Sequence, residues 1–228
     1  MNMNDLLASM DAAVTVDAAR VLAKLDAAGP GKRGLFIDCG SNLGQGFGQF
    51  AKHYPLQRFD YILIEPNPNC LPELKRQAQM RMERLGNSGA RLEILEQAAG
   101  TRVGTVKFFG LEHDPTSQGG SMLKDHNNRY YEANEERALE VPTFSLAGLI
   151  QQRAPLYGAV ALKLDIEGGE YEVLPHLISE GAHRLLDSAY IEFHSQYMAE
   201  PEHTRYQLLE DGIQARLHRD GVPYRIWI

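Results

Sequence analysis

The chain has 228 residues, of which 43% are hydrophobic and 23% charged, and its formal net charge is −7. That length supports one sizeable core, and that composition is ordinary for a soluble globular protein. The acidic balance, with no long Lys/Arg run, argues against holding nucleic acid through its phosphates.

No apolar stretch approaches the roughly 20 residues of a membrane span. The N-terminus carries Asp5 and Asp11 and lacks the basic region and apolar core of a secretory signal. Cys39 and Cys70 read as buried or half-buried thiols rather than a disulfide framework, which suits a reducing compartment. The expectation is a cytoplasmic protein with neither a membrane nor a nucleic-acid partner.

In chain order, residues 1–28 have helical spacing, with Leu6, Met10, Val14, Val21, Leu22 and Leu25 on one stripe. Gly29-Pro30-Gly31 stops that helix. The segment 1–33 can cover a sheet face, act as a lid or form a homodimer contact, and 34–228 reads as a single domain. Leu35-Phe36-Ile37 is a run for a strand buried on both faces, and it breaks into a turn through Asp38, Gly40, Ser41, Asn42 and Gly44 before a helix opens. Tyr61 to Glu65 is a second strand ending on an acid, 71–85 a helix, and 91–95 a third strand. Strand and helix thus alternate, which implies a mostly parallel twisted sheet with right-handed crossovers.

The rhythm then changes. Residues 105–109 and 139–144 read as two extra strands, a small β insertion after the third strand, separated by a polar excursion over 112–137. An excursion this long in a compact domain reads as an acceptor-shaping loop or a bland insertion. Tyr130, Tyr131 and Tyr197 can line an acceptor site or simply pack. Alternation resumes with strand 159–164, helix 170–179, strand 188–193, helix 202–219 and a last strand over 223–228, six parallel-type strands in all.

Polar clusters fall where those strands end, the edge at which open α/β sheets carry their sites: Asp38 to Gly44, Glu65, Asp165 with Glu167, and Glu192 with His194. Glu65 lies 25 residues past Gly40, close to the spacing at which an acid meets a ribose diol, though it can equally cap the turn before Pro66. A Gly-x-Gly-x-x-Ala match, Gly46 to Ala51, starts inside the helix and does not satisfy a dinucleotide fingerprint. Asp165 and Glu167 are two apart and share a face if their strand persists, as do Glu192 and His194. His194 is the candidate for taking an acceptor proton, because imidazole titrates near neutrality, or else a hydrogen-bonded core histidine. Glu167 is a catalytic candidate or a ligand of backbone amides in the Gly168-Gly169 turn. Three oxygens and an imidazole at one strand edge also raise a divalent metal, which would polarise an acceptor hydroxyl.

The run Asp38-x-Gly40-x-Asn42-x-Gly44, followed by Ile64-Glu65-Pro66-Asn67-Pro68, Gln97-Ala98-Ala99-Gly100, Lys163 to Glu170 and Ile191-Glu192-Phe193-His194, resembles the FkbM-type family of class I S-adenosylmethionine-dependent methyltransferases. The resemblance covers about residues 34–194, and the Lys-x-Asp-x-Glu-Gly-x-Glu block is its specific part. It implies a Rossmann-like α/β fold with helices on both faces of the sheet. It also implies that Asp38, Gly40, Ser41, Asn42 and Gly44 surround the amino-acid part of S-adenosyl-L-methionine. Glu65 would hold the ribose hydroxyls, Gln97 and Ala98 would border the adenine, and Asp165 would sit beside the reacting methyl. The implied acceptor is a hydroxyl of a sugar, glycan or other small polar molecule. Ser145 stands where the family shows an Asp, and it can still cap the following helix. An NAD(P)-dependent oxidoreductase and a non-catalytic binding protein on the same fold are the alternatives.

Overall fold

The computed structural model describes residues 2–86, 89–111, 114–124, 126 and 133–227; Tyr130 and Tyr131 lie outside them. The helices are α1 (Met3–Ala27), α2 (Gln45–Phe50), α3 (Leu71–Leu85), α4 (Leu146–Arg153), α5 (Glu170–Ser179) and α6 (Glu202–Arg219). The strands are β1 (Gly34–Cys39), β2 (Phe59–Ile64), β3 (Leu92–Leu95), β4 (Ala98–Gly100), β5 (Gly104–Phe108), β6 (Leu139–Ser145), β7 (Ala159–Leu164), β8 (Ser188–Ile191) and β9 (Tyr224–Ile226).

Six strands form one sheet in the order β3-β2-β1-β7-β8-β9, and every pairing in it is parallel. The chain runs outward from β1 to β3, then returns beside β1 as β7 and runs the other way. The point where the order reverses lies between β1 and β7, and there a doubly wound sheet opens a crevice at its carboxyl edge. The fold is therefore the α/β, mostly parallel architecture that the strand–helix alternation implies.

Alternate residues of the central strands feed two different cores. Leu35, Ile37, Val160, Leu162 and Leu164 pack with α4, α5 and α6 through Ile150, Leu174 and Ile213. Phe36, Tyr61, Leu63, Ala161 and Tyr190 pack with α1, α2 and α3 through Val21, Phe47 and Leu74. Both faces being apolar is what a continuous hydrophobic run in β1 and β7 requires. α1 lies on the second face, tied by Lys24 to Asp187 at 2.5 Å and by Arg225 Nε to Asp17 Oδ2 at 2.5 Å. Among the described residues, no helix is long and apolar enough to cross a membrane.

The insertion forms a separate three-stranded sheet, β4-β6-β5, in which β5 and β6 run antiparallel and β4 and β6 parallel. The sequence reading of 105–109 with 139–144 anticipates the β5–β6 pair; β4, made of Ala98-Ala99-Gly100, is an addition. Ser145 Oγ accepts from the Gly148 amide and caps α4, so the departure from Asp is a conservative one.

Register positions the site. Cys39 pairs with Ile64 on one side and with Leu164 on the other, and Leu164 pairs with Ile191. The residues that follow these strand ends, Gly40, Glu65, Asp165 and Glu192, therefore stand in a row along one edge.

Candidate active site

A cavity of about 380 Å³ opens at that edge, within the range of about 300–1,000 Å³ usual for small-molecule sites. Its floor is Gly40, Ser41 and Asn42 after β1. Glu65 and Pro66 border it after β2, Ala98 and Ala99 from β4, and Lys163, Asp165, Glu167 and Glu192 after β7 and β8. Ser117, Gln118, Gly120 and Met122 of the insertion close one side, and Trp227 stands at another.

The glycine turn is dictated by crowding. A Cβ on Gly40 would lie 1.7 Å from the Asp165 carbonyl oxygen, and its φ of +77° is one that side chains rarely adopt. Asn42 also takes a positive φ of 45°. That turns its amide onto Glu65, whose Oε2 accepts from Asn42 N at 2.7 Å while Oε1 accepts from Asn67 N at 2.8 Å. Burial nevertheless dominates and lifts the Glu65 carboxyl to about 7. Ser41 is spent within the scaffold: its Oγ donates to Asp38 O and accepts from Ile64 N, its N–H donates to Ile64 O and its carbonyl accepts from Gly44 N.

Asp38 and Gly44 stand behind the wall rather than on it. Asp38 is fully buried, its nearest cation Lys163 Nζ lies 3.5 Å from Oδ1, and burial raises its pKa. Gly44 begins α2 with φ +95° and packs on Leu74 and Gln77. Gln97 likewise does not line the cavity, whereas its neighbours Ala98 and Ala99 do. The Gly46-to-Ala51 match falls in α2, with Gly48 against Arg81 rather than at a phosphate position.

Lys163 is the buried cation of the site. Its ammonium reaches Gly40 O at 2.8 Å and Asp165 Oδ2 at 2.9 Å. Burial opposes its charge, but Asp165 and then Asp38 outweigh that and raise its pKa. A lone Lys in the otherwise apolar run Ala159–Leu164 was the available signal for it.

Asp165, Glu167 and His194 do come together, although not by strand alternation. β7 ends at Leu164 and β8 at Ile191, so neither pair shares a strand face. Glu167 instead takes a left-handed φ of 54° in the turn before α5, a strained conformation for a non-glycine residue. Glu167 also does not hold the turn amides. Glu170 does, accepting from Ile166 N at 2.6 Å and Gly168 N at 2.8 Å, which frees Glu167 for side-chain partners. One of these is His126, whose Nε2 lies 2.7 Å from Glu167 Oε2. Burial, with His194 beside it, drives the His126 pKa down to about 3, so the ring is neutral and shares one proton with the Glu167 carboxyl, its direction set by the ring's tautomer. His126 sits in the polar excursion, where no periodicity or motif marks it.

His194 is enclosed by acids. Burial alone would lower its pKa, but Glu170, then Glu167 and Asp165, outweigh it and push it to about 10. At that pKa the ring is charged at neutral pH, which disfavours the proton-accepting role that the sequence suggests for it. Glu167 is raised to about 8 and Glu192 to about 7, in both cases chiefly by burial.

The insertion is pinned across this site. Ser121 Oγ donates to Glu167 O at 2.5 Å, Ser121 and Phe109 exchange backbone bonds, and Asn67 Nδ2 donates to Pro115 O at 2.8 Å.

A doubly wound parallel sheet, with a glycine turn at its switch point and an acid after the second strand, defines an α/β protein of the class whose sites lie at the carboxyl edge of the sheet. Within that class the chain belongs to the FkbM methyltransferase family: the family's methyltransferase FkbM domain matches residues 38–212. Among solved structures, methyltransferase FkbM from Methylobacillus flagellatus KT is similar over 84% of this chain, at 18% identity and a TM-score of 0.45. The chain spans 37% of the length of that structure. A comparison with curated proteins returns no significant match.

Proposed function

We propose that this protein is an S-adenosylmethionine-dependent methyltransferase acting on a hydroxyl of a sugar or another small polar acceptor. The observation that carries the reading is Glu65. Backbone amides hold both of its oxygens, each of which has a second lone pair, and the residue lines the cavity, so it can accept from two vicinal hydroxyls there. The neighbouring Gly40–Asn42 floor lets a ligand approach the backbone closely, and the small Ala98 and Ala99 leave room for a flat ring. The residues present therefore fit such a cofactor.

When bound, that cofactor supplies a methyl group on a cationic sulfonium. Asp165 brings a carboxylate to the same wall, fixed by Lys163 through Oδ2, so its charge is available without reorganisation. Glu192, raised to about 7 and partly ionised at neutral pH, lines the cavity and can receive the acceptor's proton, and Glu167 beside it can do so where it is ionised. Ser117, Gln118 and Met122 shape the acceptor side and restrict water there, so much of the rate enhancement comes from alignment. The acceptor class rests on the family to which the chain belongs.

The direct test is calorimetric titration with S-adenosylhomocysteine, the cofactor's product. One site per chain is expected, and a folded sample that binds none would end the proposal.

A further inference from the structure

Four side chains converge at the cavity edge: Asp165, Glu167 and Glu192 on its lining and His194 behind them. His194, with 1% of its side chain exposed, directs Nε2 at Glu167 Oε2 (3.4 Å), Asp165 Oδ1 (3.6 Å) and Glu192 Oε1 (3.8 Å). A proton on Nε2 would form one charge-assisted bond of about 2.7–2.9 Å, and none of the three oxygens comes that close. The spacings instead fall within the span of ligand–ligand gaps around a divalent ion. With metal–ligand bonds of about 2.1–2.2 Å, neighbouring ligand atoms of an octahedron lie about 3.0 Å apart and opposite ones about 4.3 Å apart. Asp165, Glu167 and His194 can each place one ligand atom within 4.8 Å of the others.

The outer shell points the same way. Buried Glu170 sets Oε1 3.4 Å from His194 Nδ1, the side on which the ring proton belongs if Nε2 is to keep its lone pair. Lys163 holds Asp165 by Oδ2, leaving Oδ1 toward the centre. His126 Nε2 lies 2.7 Å from the same Glu167 oxygen, Oε2, that faces His194, and as a neutral ring it orients that carboxyl without adding a counter-charge. A carboxylate behind a ligating imidazole, and donors behind ligating carboxylates, are the supports by which proteins orient metal ligands.

We propose that Asp165, Glu167 and His194, with Glu192 within reach, form a divalent-cation site on the cavity wall, of the mixed nitrogen–oxygen chemistry that suits Mn²⁺. Three oxygens favour a hard ion, and the imidazole favours a transition metal over Mg²⁺. The site faces the space in which an acceptor hydroxyl would lie, so a bound ion would orient that hydroxyl and lower its pKa. The geometry stands without the cofactor reading.

The test is electron paramagnetic resonance of the chelator-treated full chain titrated with Mn²⁺. One Mn²⁺ per chain is expected, and pulsed spectra of the wild type should show nitrogen coupling from an imidazole. His194→Ala and Glu167→Gln should each weaken binding at least about tenfold, while Glu172→Gln, an exposed acid on α5, should not. No stoichiometric Mn²⁺ on the folded wild type, bound Mn²⁺ without nitrogen coupling, or unweakened binding in both folded variants would overturn the site. The coupling is read on the wild type, so the site can be refuted even where a variant fails to fold. S-adenosylhomocysteine titrations of the same samples separate the two proposals: product binding without Mn²⁺ refutes only the metal site, and Mn²⁺ binding without product refutes only the cofactor reading.

Discussion

Lys163 Nζ lies 2.8 Å from the carbonyl oxygen of Gly40, joining β7 to the glycine turn of β1 across the switch point of the sheet. The same ammonium neutralises Asp165 and stands 3.5 Å from Asp38, whose oxygens have no hydrogen-bond partner among the described residues. Beside the cavity floor one buried cation thus serves two acids, Asp165 on the wall and Asp38 behind it.

Removing that cation should be costly. Lys163→Met leaves Asp38 buried without its counter-charge, and breaking a buried pair from one side typically costs about 3–5 kcal/mol. Urea unfolding should show a loss of that order. Adding Asp38→Asn should restore a substantial part of it, since the stranded charge is then gone. A single-variant loss below about 1 kcal/mol would mean that the cluster is solvated in a way its burial does not suggest.

Gly40 and Gly181 separate crowding from backbone preference. Both have positive φ, +77° and +71°, yet a Cβ at Gly181 meets nothing within 4 Å whereas one at Gly40 meets Asp165 O at 1.7 Å. Gly181→Ala should cost only the left-handed penalty, about 1–2 kcal/mol. Gly40→Ala should cost more in thermal unfolding and also displace Asp165, weakening S-adenosylhomocysteine at least about tenfold. Equal effects of the two substitutions on stability and binding would show that the β1–β7 edge yields freely.

Much of this site is legible in the sequence, because its scaffold is local. Continuous apolar runs announce β1, β2 and β7, and the residues after them must share an edge once the strands pair in parallel. Glu65 and Asp165 are readable on that ground. The rest depends on contacts that no local period encodes. Glu167 meets His194 through a left-handed turn, not through alternation along β7. Glu170 takes the amide-holding task that is one of two alternatives the sequence leaves for Glu167, because an acid at the start of α5 can reach back over the turn. His126 arrives from a polar excursion 41 residues away, and only folding of the insertion places it there.

The acidity of Glu65 gives a pH signature. Its pKa rises from 4.5 to about 7, chiefly by burial, with Asp38 adding to the rise and Lys163 opposing it. The folded chain then binds more protons than the unfolded chain between those values, so stability falls as pH rises through that window and is level on either side of it with respect to this group. The wild type should therefore lose stability relative to Glu65→Gln between about pH 4.5 and 7, by up to about 3 kcal/mol. Parallel pH profiles of the two proteins in denaturant titrations would contradict the burial of this carboxyl. At pH 7.5, Glu65→Ala should weaken S-adenosylhomocysteine by about 1–3 kcal/mol, the cost of leaving buried hydroxyls without an acceptor.

The contact between His126 and Glu167 tests whether the insertion is fastened to the site. His126 is fully buried and its Nε2 lies 2.7 Å from Glu167 Oε2, while Ser121 Oγ secures the backbone of the same glutamate. Hydrogen bonds to a charged group contribute about 1.5–3 kcal/mol, enough to change local opening by roughly tenfold to a hundredfold. His126→Ala should therefore accelerate amide exchange at Leu123, whose N–H is held by Ser121 Oγ, by at least about tenfold. Asn67 Nδ2 still anchors the other end of the segment at Pro115 O, so the global melting temperature should move by only a few degrees and product binding at Glu65 by less than about twofold. Hydrogen-exchange mass spectrometry of the two proteins, with melting and product titrations alongside, reads these effects. Unchanged exchange over residues 114–124 would show that the segment is held by its own backbone bonds and not by Glu167.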